Sequence, residues 1–119
     1  MYTITKEFAF CASHQLTHLP KTHPCSRVHG HNYLIKVELK SKTLNEDYFI
    51  RDYRELEGVK IYIDDVLDHQ HLNAVLPFIE PTAELIAKHL YETFKPMLPE
   101  LSAVEVSETP KTNARYDES

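Results

Sequence analysis

Three histidines carry the chemistry most easily read from this chain. His29 and His31 flank Gly30 in an H-G-H run. In extended backbone, residues two apart point to the same side, so this pair aims both imidazoles at one point. His14, at the end of an earlier stretch of alternating apolar residues, can supply a third nitrogen from a neighbouring strand. Zinc suits imidazole nitrogen, and three protein ligands with an open fourth position are the pattern of a catalytic ion rather than a structural one. Spacing fixes the pair better than it fixes His14. Cys25 lies four residues before His29 and allows two incompatible readings. It is either a fourth ligand that closes a structural site, or a free thiolate beside an open metal, able to act as a base. Asp68 and His69 are adjacent, so the carboxylate can orient the imidazole for proton transfer, although such a pair also suits a plain polar helix end. Glu108 continues the parity of Val104 and Val106 and should face inward, where an unpaired carboxylate is costly. Its partner is either a ligand with adjacent N–H donors or an internal arginine or backbone amide.

The elements that must position these groups follow from periodicity. Tyr2, Ile4, Phe8, Phe10, Ala12 and His14 share one parity, which predicts a strand with one buried face. Tyr33, Ile35, Val37 and Leu39 alternate with Asn32, Lys36, Glu38 and Lys40 and predict a second strand, with His29 and His31 at its start. Between them an irregular stretch with Pro20 and Pro24 is too polar for a core element and too long for a tight hairpin; it reads as a site wall. Cys11, inside the first apolar strand, reads as a buried, inert thiol. Tyr48 to Ile50 suggests a short strand. Asp52 and Glu55 then form a capping-box signal, and Tyr53, Leu56, Val59, Ile63, Val66 and Leu67 recur at helical spacing, with Gly58 weakening the run. Thr82 can cap a second helix, whose apolar stripe is Leu85, Ile86, Leu90 and Phe94 and which Pro96 ends. Ser102 to Glu108 and Ala114 to Tyr116 read as closing strands. The expected fold is α+β, one domain over residues 1–119, with an antiparallel sheet and two helices on one face. His18, His23, His71 and His89 are left as surface or packing residues.

Composition narrows the function. A chain of 119 residues with 42% hydrophobic content can bury one modest core, and association between copies would bury more. A formal charge of -5 argues against nucleic acid or an anionic membrane as a general partner. Two cysteines are no disulfide framework, and residues Met1 to Ser13 have neither the basic start nor the apolar run of a leader or membrane span. A cytoplasmic setting is expected.

Taken in order, F-x-F-C-A-S-H, C-S-R-V-H-G-H, L-D-H-Q-H-L-N, P-T-A-E and V-S-E-T resemble the 6-pyruvoyltetrahydropterin synthase superfamily along nearly the whole chain. The three residues between Cys25 and the H-G-H run, with the short chain length, look like its bacterial 6-carboxytetrahydropterin synthase branch, which serves queuosine biosynthesis. The resemblance implies a tunnelling (T) fold whose sheets join between subunits into an oligomeric barrel, with sites between subunits. It implies zinc on His14, His29 and His31, proton transfer by Cys25, Asp68 and His69 as a partner dyad, and Glu108 as anchor of the pterin ring. The implied substrate is dihydroneopterin triphosphate. Lys21, Arg27, Lys36, Arg51, Arg54 and Arg115 are unranked candidates for the triphosphate.

Overall fold

A computed structural model describes all residues from Met1 to Ser119. Two long strands dominate it: β1 (Tyr2–His14) and β2 (His29–Ser41). Both form where their alternation predicts strands, and they pair antiparallel along their whole length, Tyr2 opposite Ser41 and His14 opposite His29. After β2 come a 3-10 turn (Tyr53–Leu56), α1 (Glu57–Tyr62), a π turn (Ile63–Leu67), β3 (Gln70–His71), the single-turn α2 (Leu72–Val75), α3 (Ala83–Phe94), β4 (Leu101–Ser107) and β5 (Ala114–Asp117). The sheet order is β3-β1-β2-β4-β5. β4 and β5 are antiparallel to their neighbours, whereas β3 runs parallel to the end of β1, Ala12 beside Gln70 and Ser13 beside His71. The wholly antiparallel sheet expected from the sequence is corrected by this one pairing, since two residues are too few to show a period.

Even positions of β1 and odd positions of β2 face the helices. Phe10, Tyr33, Ile35, Val37 and Leu39 are buried there with Val104 and Val106 of β4, under Ile86, Leu90 and Phe94 of α3 and Leu56, Val59, Ile63 and Leu67 of the preceding helical segment. The same parity puts Cys11 on the helix-free face, where it is exposed and its S–H donates to Asn32 Oδ1 at 2.8 Å. The expectation of a buried Cys11 is therefore wrong: the strand is apolar on one face only, and Cys11 is on the other.

Two other expectations shift. Tyr48 to Ile50 is a turn, not a strand, because the Asn45 side chain takes the backbone N–H groups of Asp47 and Phe49 and so removes them from any ladder. Tyr48 sits in the left-handed region, φ 68°. The capping box of Asp52 and Glu55 forms, but the helix behind it is tight at its start and wide at its end, where Asp68 N–H reaches back to the Ile63 carbonyl at 2.9 Å. Thr82 caps α3 through Leu85 N–H. The buried stripe of α3 includes Ala87 and Tyr91 rather than Leu85, because Tyr91 packs edge-on against Tyr116 of β5. No helix is long and apolar enough to cross a membrane.

Candidate metal centre and active site

The β1–β2 register builds the centre. His14 stands directly opposite His29, and His31 one rung further in, opposite Ala12. All three project to the core face at the end of the sheet. Their donor nitrogens lie within 4.8 Å of one another, and no cysteine or carboxylate shares that cluster. His14 is 1% exposed, and burial holds its pKa below the ordinary histidine value, so it is neutral at pH 7 and free to coordinate. Its Nδ1–H donates to the Pro81 carbonyl at 2.7 Å, and His29 Nδ1–H donates to the Arg27 carbonyl at 2.7 Å. A carbonyl only accepts, so in both rings the lone pair is left on Nε2. Those two Nε2 atoms are 2.9 Å apart. Two lone pairs at that distance repel unless a proton or a cation stands between them. His31 Nε2 is buried with no hydrogen-bond partner, and the Glu108 Oε2 beside it is 3.7 Å away. Converging imidazoles, tautomers fixed by carbonyls and one orphaned nitrogen are what a metal ion requires of its ligands. These three residues can hold one.

Cys25 is half-buried in a 3-10 turn (Pro24–Ser26) of the loop between β1 and β2. That loop is tied back to the end of β1. Leu16 N–H donates to the Cys25 carbonyl at 3.0 Å, and Gln15 Nε2 donates to the Ser26 carbonyl at 2.9 Å. Asn73 holds Gln15 in turn, accepting its N–H and donating to its carbonyl, both at 2.8 Å. Asp68 and His69 form the expected pair, Oδ2 to Nδ1 at 2.9 Å. The pair is hung on the backbone of Cys11: Asp68 Oδ1 accepts the Cys11 N–H at 2.9 Å, and His69 N–H donates to the Cys11 carbonyl at 2.6 Å. The Cys11 N–H, and next the His69 imidazole, hold the Asp68 pKa below the usual carboxylate range. His69 takes a left-handed backbone, φ 59°, and its side chain is 78% exposed. It lines a cleft of about 480 Å³ with Cys11, Ser13, His31 and His71. Glu108, one residue past β4 and 27% exposed, faces His31 rather than an internal arginine. It lines a second cleft of about 590 Å³ with Leu16, His18, His23, Thr82 and Arg115. Cys25 lines neither cleft. Within one chain the dyad and Glu108 thus open on different clefts, with His31 between them.

A family model described as 6-pyruvoyl tetrahydropterin synthase matches residues 3–119. The chain belongs to that family. A 6-carboxy-5,6,7,8-tetrahydropterin synthase of Synechocystis is 36% identical over 98% of this chain and 93% of its own length. A Bacillus subtilis protein of the same name is 29% identical, over 77% of this chain and 69% of its own. Among solved structures, a 6-pyruvoyl tetrahydropterin synthase of Caenorhabditis elegans superposes with a TM-score of 0.87 at 26% identity, covering 99% of this chain and 96% of that one. The T-fold expected from the resemblance is therefore the fold of this family member.

The structure also sorts the cations. Arg51 is taken up by Glu100 and Glu55, Arg54 by Asp52, and Arg115 by Glu38, Glu105 and Asp117. Lys21, Arg27 and Lys36 form no ion pair. Of the remaining histidines, His71 shares a hydrogen bond with Ser13, His89 with Tyr62, and His23 accepts the Cys25 N–H. Sequence reading missed the supporting residues Asn73 and Pro81. Asn73 ends the L-D-H-Q-H-L-N motif and could have been found there, whereas a Pro81 carbonyl has no sequence signature. It also missed Tyr33, whose hydroxyl is buried beside the histidines with no partner. An unmade buried hydrogen bond costs about 1–3 kcal/mol. Tyr33→Phe is therefore expected to leave stability unchanged or raise it by about 1 kcal/mol in urea unfolding; a loss of that size would mean the hydroxyl has a partner.

Proposed function

We propose that this chain is a zinc-dependent 6-carboxytetrahydropterin synthase, a carbon–carbon lyase of queuosine biosynthesis. It would convert dihydroneopterin triphosphate to 6-carboxytetrahydropterin with release of acetaldehyde and triphosphate. The observation that carries the metal chemistry is the set of three converging imidazole nitrogens, two with their other nitrogen spent on a carbonyl and one with no partner at all. The full-length likeness to the Synechocystis enzyme supports the carboxy product.

His14, His29 and His31 would hold the zinc ion, which would supply Lewis-acid chemistry toward the substrate's side-chain hydroxyls. Cys25 moves protons at the side-chain carbons. His69 is the second proton carrier, and Asp68, kept ionised by the Cys11 N–H and the imidazole, orients it and stabilises its charged form. Glu108 receives the amino and ring N–H groups of the pterin in a two-pronged charge-assisted bond. In a single chain the 78% exposure of His69 excludes too little water for this chemistry. A homo-oligomer with sites between subunits, in the cytoplasm, answers that, and a neighbouring copy would bring its dyad to this chain's Cys25.

A second reading, a 6-pyruvoyltetrahydropterin synthase, is favoured by the structural likeness to the Caenorhabditis elegans protein. Incubation of the zinc-loaded protein with dihydroneopterin triphosphate separates the two by product mass. Acetaldehyde with 6-carboxytetrahydropterin is the expected result. A pyruvoyl product without acetaldehyde establishes the second reading instead, and no turnover of this substrate refutes both.

A further inference from the structure

Glu80 has no place in the chemistry above, yet its carboxylate is the most heavily used acceptor around the β1–β2 loop. Oε1 accepts the backbone N–H of Thr17 and that of His18 at 3.4 Å. The Thr17 hydroxyl donates to Oε1 and Oε2 at 3.0 and 3.2 Å, and His18 Nδ1 lies 3.2 Å from Oε1. Donors from two consecutive residues thus meet on one side chain that comes from more than sixty positions away.

What Glu80 itself is attached to gives this clamp its meaning. The next residue, Pro81, provides the carbonyl that fixes the tautomer and direction of His14. The one after, Thr82, caps α3 and donates its N–H to the Glu80 carbonyl at 2.8 Å. Glu80 is therefore anchored on the same three-residue segment that orients a member of the histidine cluster. On the other side, Thr17 and His18 directly follow Gln15 and Leu16, the two residues whose hydrogen bonds hold Ser26 and Cys25. Asn73 pins Gln15 from before, and Glu80 pins the chain from behind.

We propose that Glu80 is a positioning residue: by gripping Thr17 and His18 it holds the Cys25 loop in register with the histidine cluster. This rests on the reading of Cys25 as a proton-transferring group of that site. Charge-assisted bonds of this kind are stronger and more directional than neutral ones, and a displacement of a reacting group by about 1 Å can cost about 100-fold in rate. The clamp is partly exposed, so without it Thr17 and His18 can bond to water. Loss of register, rather than unfolding, is the consequence.

The test compares Glu80→Ala and Glu80→Gln in the zinc-loaded full chain, with iodoacetamide labelling of Cys25 and Cys11 followed by peptide mass. In Glu80→Ala, Cys25 is expected to label about fivefold faster while Cys11, on the far face of β1, changes less than about twofold. Turnover should fall about 10- to 100-fold in kcat with KM little changed, and zinc should stay near one ion per chain. Glu80→Gln keeps one acceptor oxygen for Thr17 and should recover part of both effects. Parental Cys25 labelling in Glu80→Ala overturns the proposal, as does an equal rise at Cys11, which would mean general loosening. If Glu80→Ala does not fold, parental labelling of Cys25 in Glu80→Gln overturns it. The labelling needs no turnover, so it decides on the clamp even if a Cys25→Ala chain proves active and the role of Cys25 falls.

Discussion

A His29→Ala chain is expected to lose its zinc and with it all measurable turnover, while remaining folded. Removing a group that only supports a ligand typically costs about 10- to 100-fold in metal affinity, and removing a ligand itself should cost more. His29 is the informative position because it is half-buried and its only other tie is to the Arg27 carbonyl close by. His14, by contrast, is wholly enclosed and bonded to Pro81, so His14→Ala would confound loss of metal with loss of packing. In His29→Ala the repulsion between facing Nε2 lone pairs also disappears, which works against destabilisation of the metal-free chain. Metal content by mass spectrometry, read with the melting temperature of the metal-free proteins, checks this. Zinc near one ion per chain in the variant would remove His29 from the ligand set.

Cys25→Ala is expected to do the opposite: to keep about one zinc per chain and lose about 10²- to 10⁴-fold in kcat, the usual worth of a positioned acid or base. The cluster of donor atoms within 4.8 Å contains three imidazoles and no sulfur, so the ion should not need Cys25. The Cys25 backbone is held through its carbonyl and N–H, neither of which the substitution removes. The loop should therefore keep its path. Single-turnover rates on matched zinc-loaded proteins give the comparison. A variant that loses its zinc would make Cys25 a ligand, and one that turns over normally would make it a bystander.

Period-two alternation makes much of the candidate site legible in the sequence. The parity of Phe10, Ala12 and His14, and that of His31 and Tyr33, already placed the histidines on one face, and antiparallel pairing brings them together. Glu108 was legible for the same reason, although it lies one residue past the end of β4. Cys11 is the exception: it lies between Phe10 and Ala12, off the buried parity, so a strand with one buried face exposes it. The Tyr48–Ile50 turn was misread because Asn45 acts through its side chain, several residues away. The β3 bridge, the Pro81 carbonyl and the Glu80 clamp depend on segments that meet only after folding, so no local pattern announces them. The Asp68 and His69 pair was visible as a dipeptide, but its fastening to the Cys11 backbone was not.

The central claim is that three histidines hold a zinc ion whose remaining position is open, with the Cys25 sulfur near it but not on it. X-ray absorption at the zinc edge of the loaded protein tests this most directly. A shell of nitrogen and oxygen at about 2.0–2.1 Å, with no sulfur, is the expected result. A Zn–S distance at about 2.3 Å would close the site with Cys25 and turn this chain into a structural zinc module.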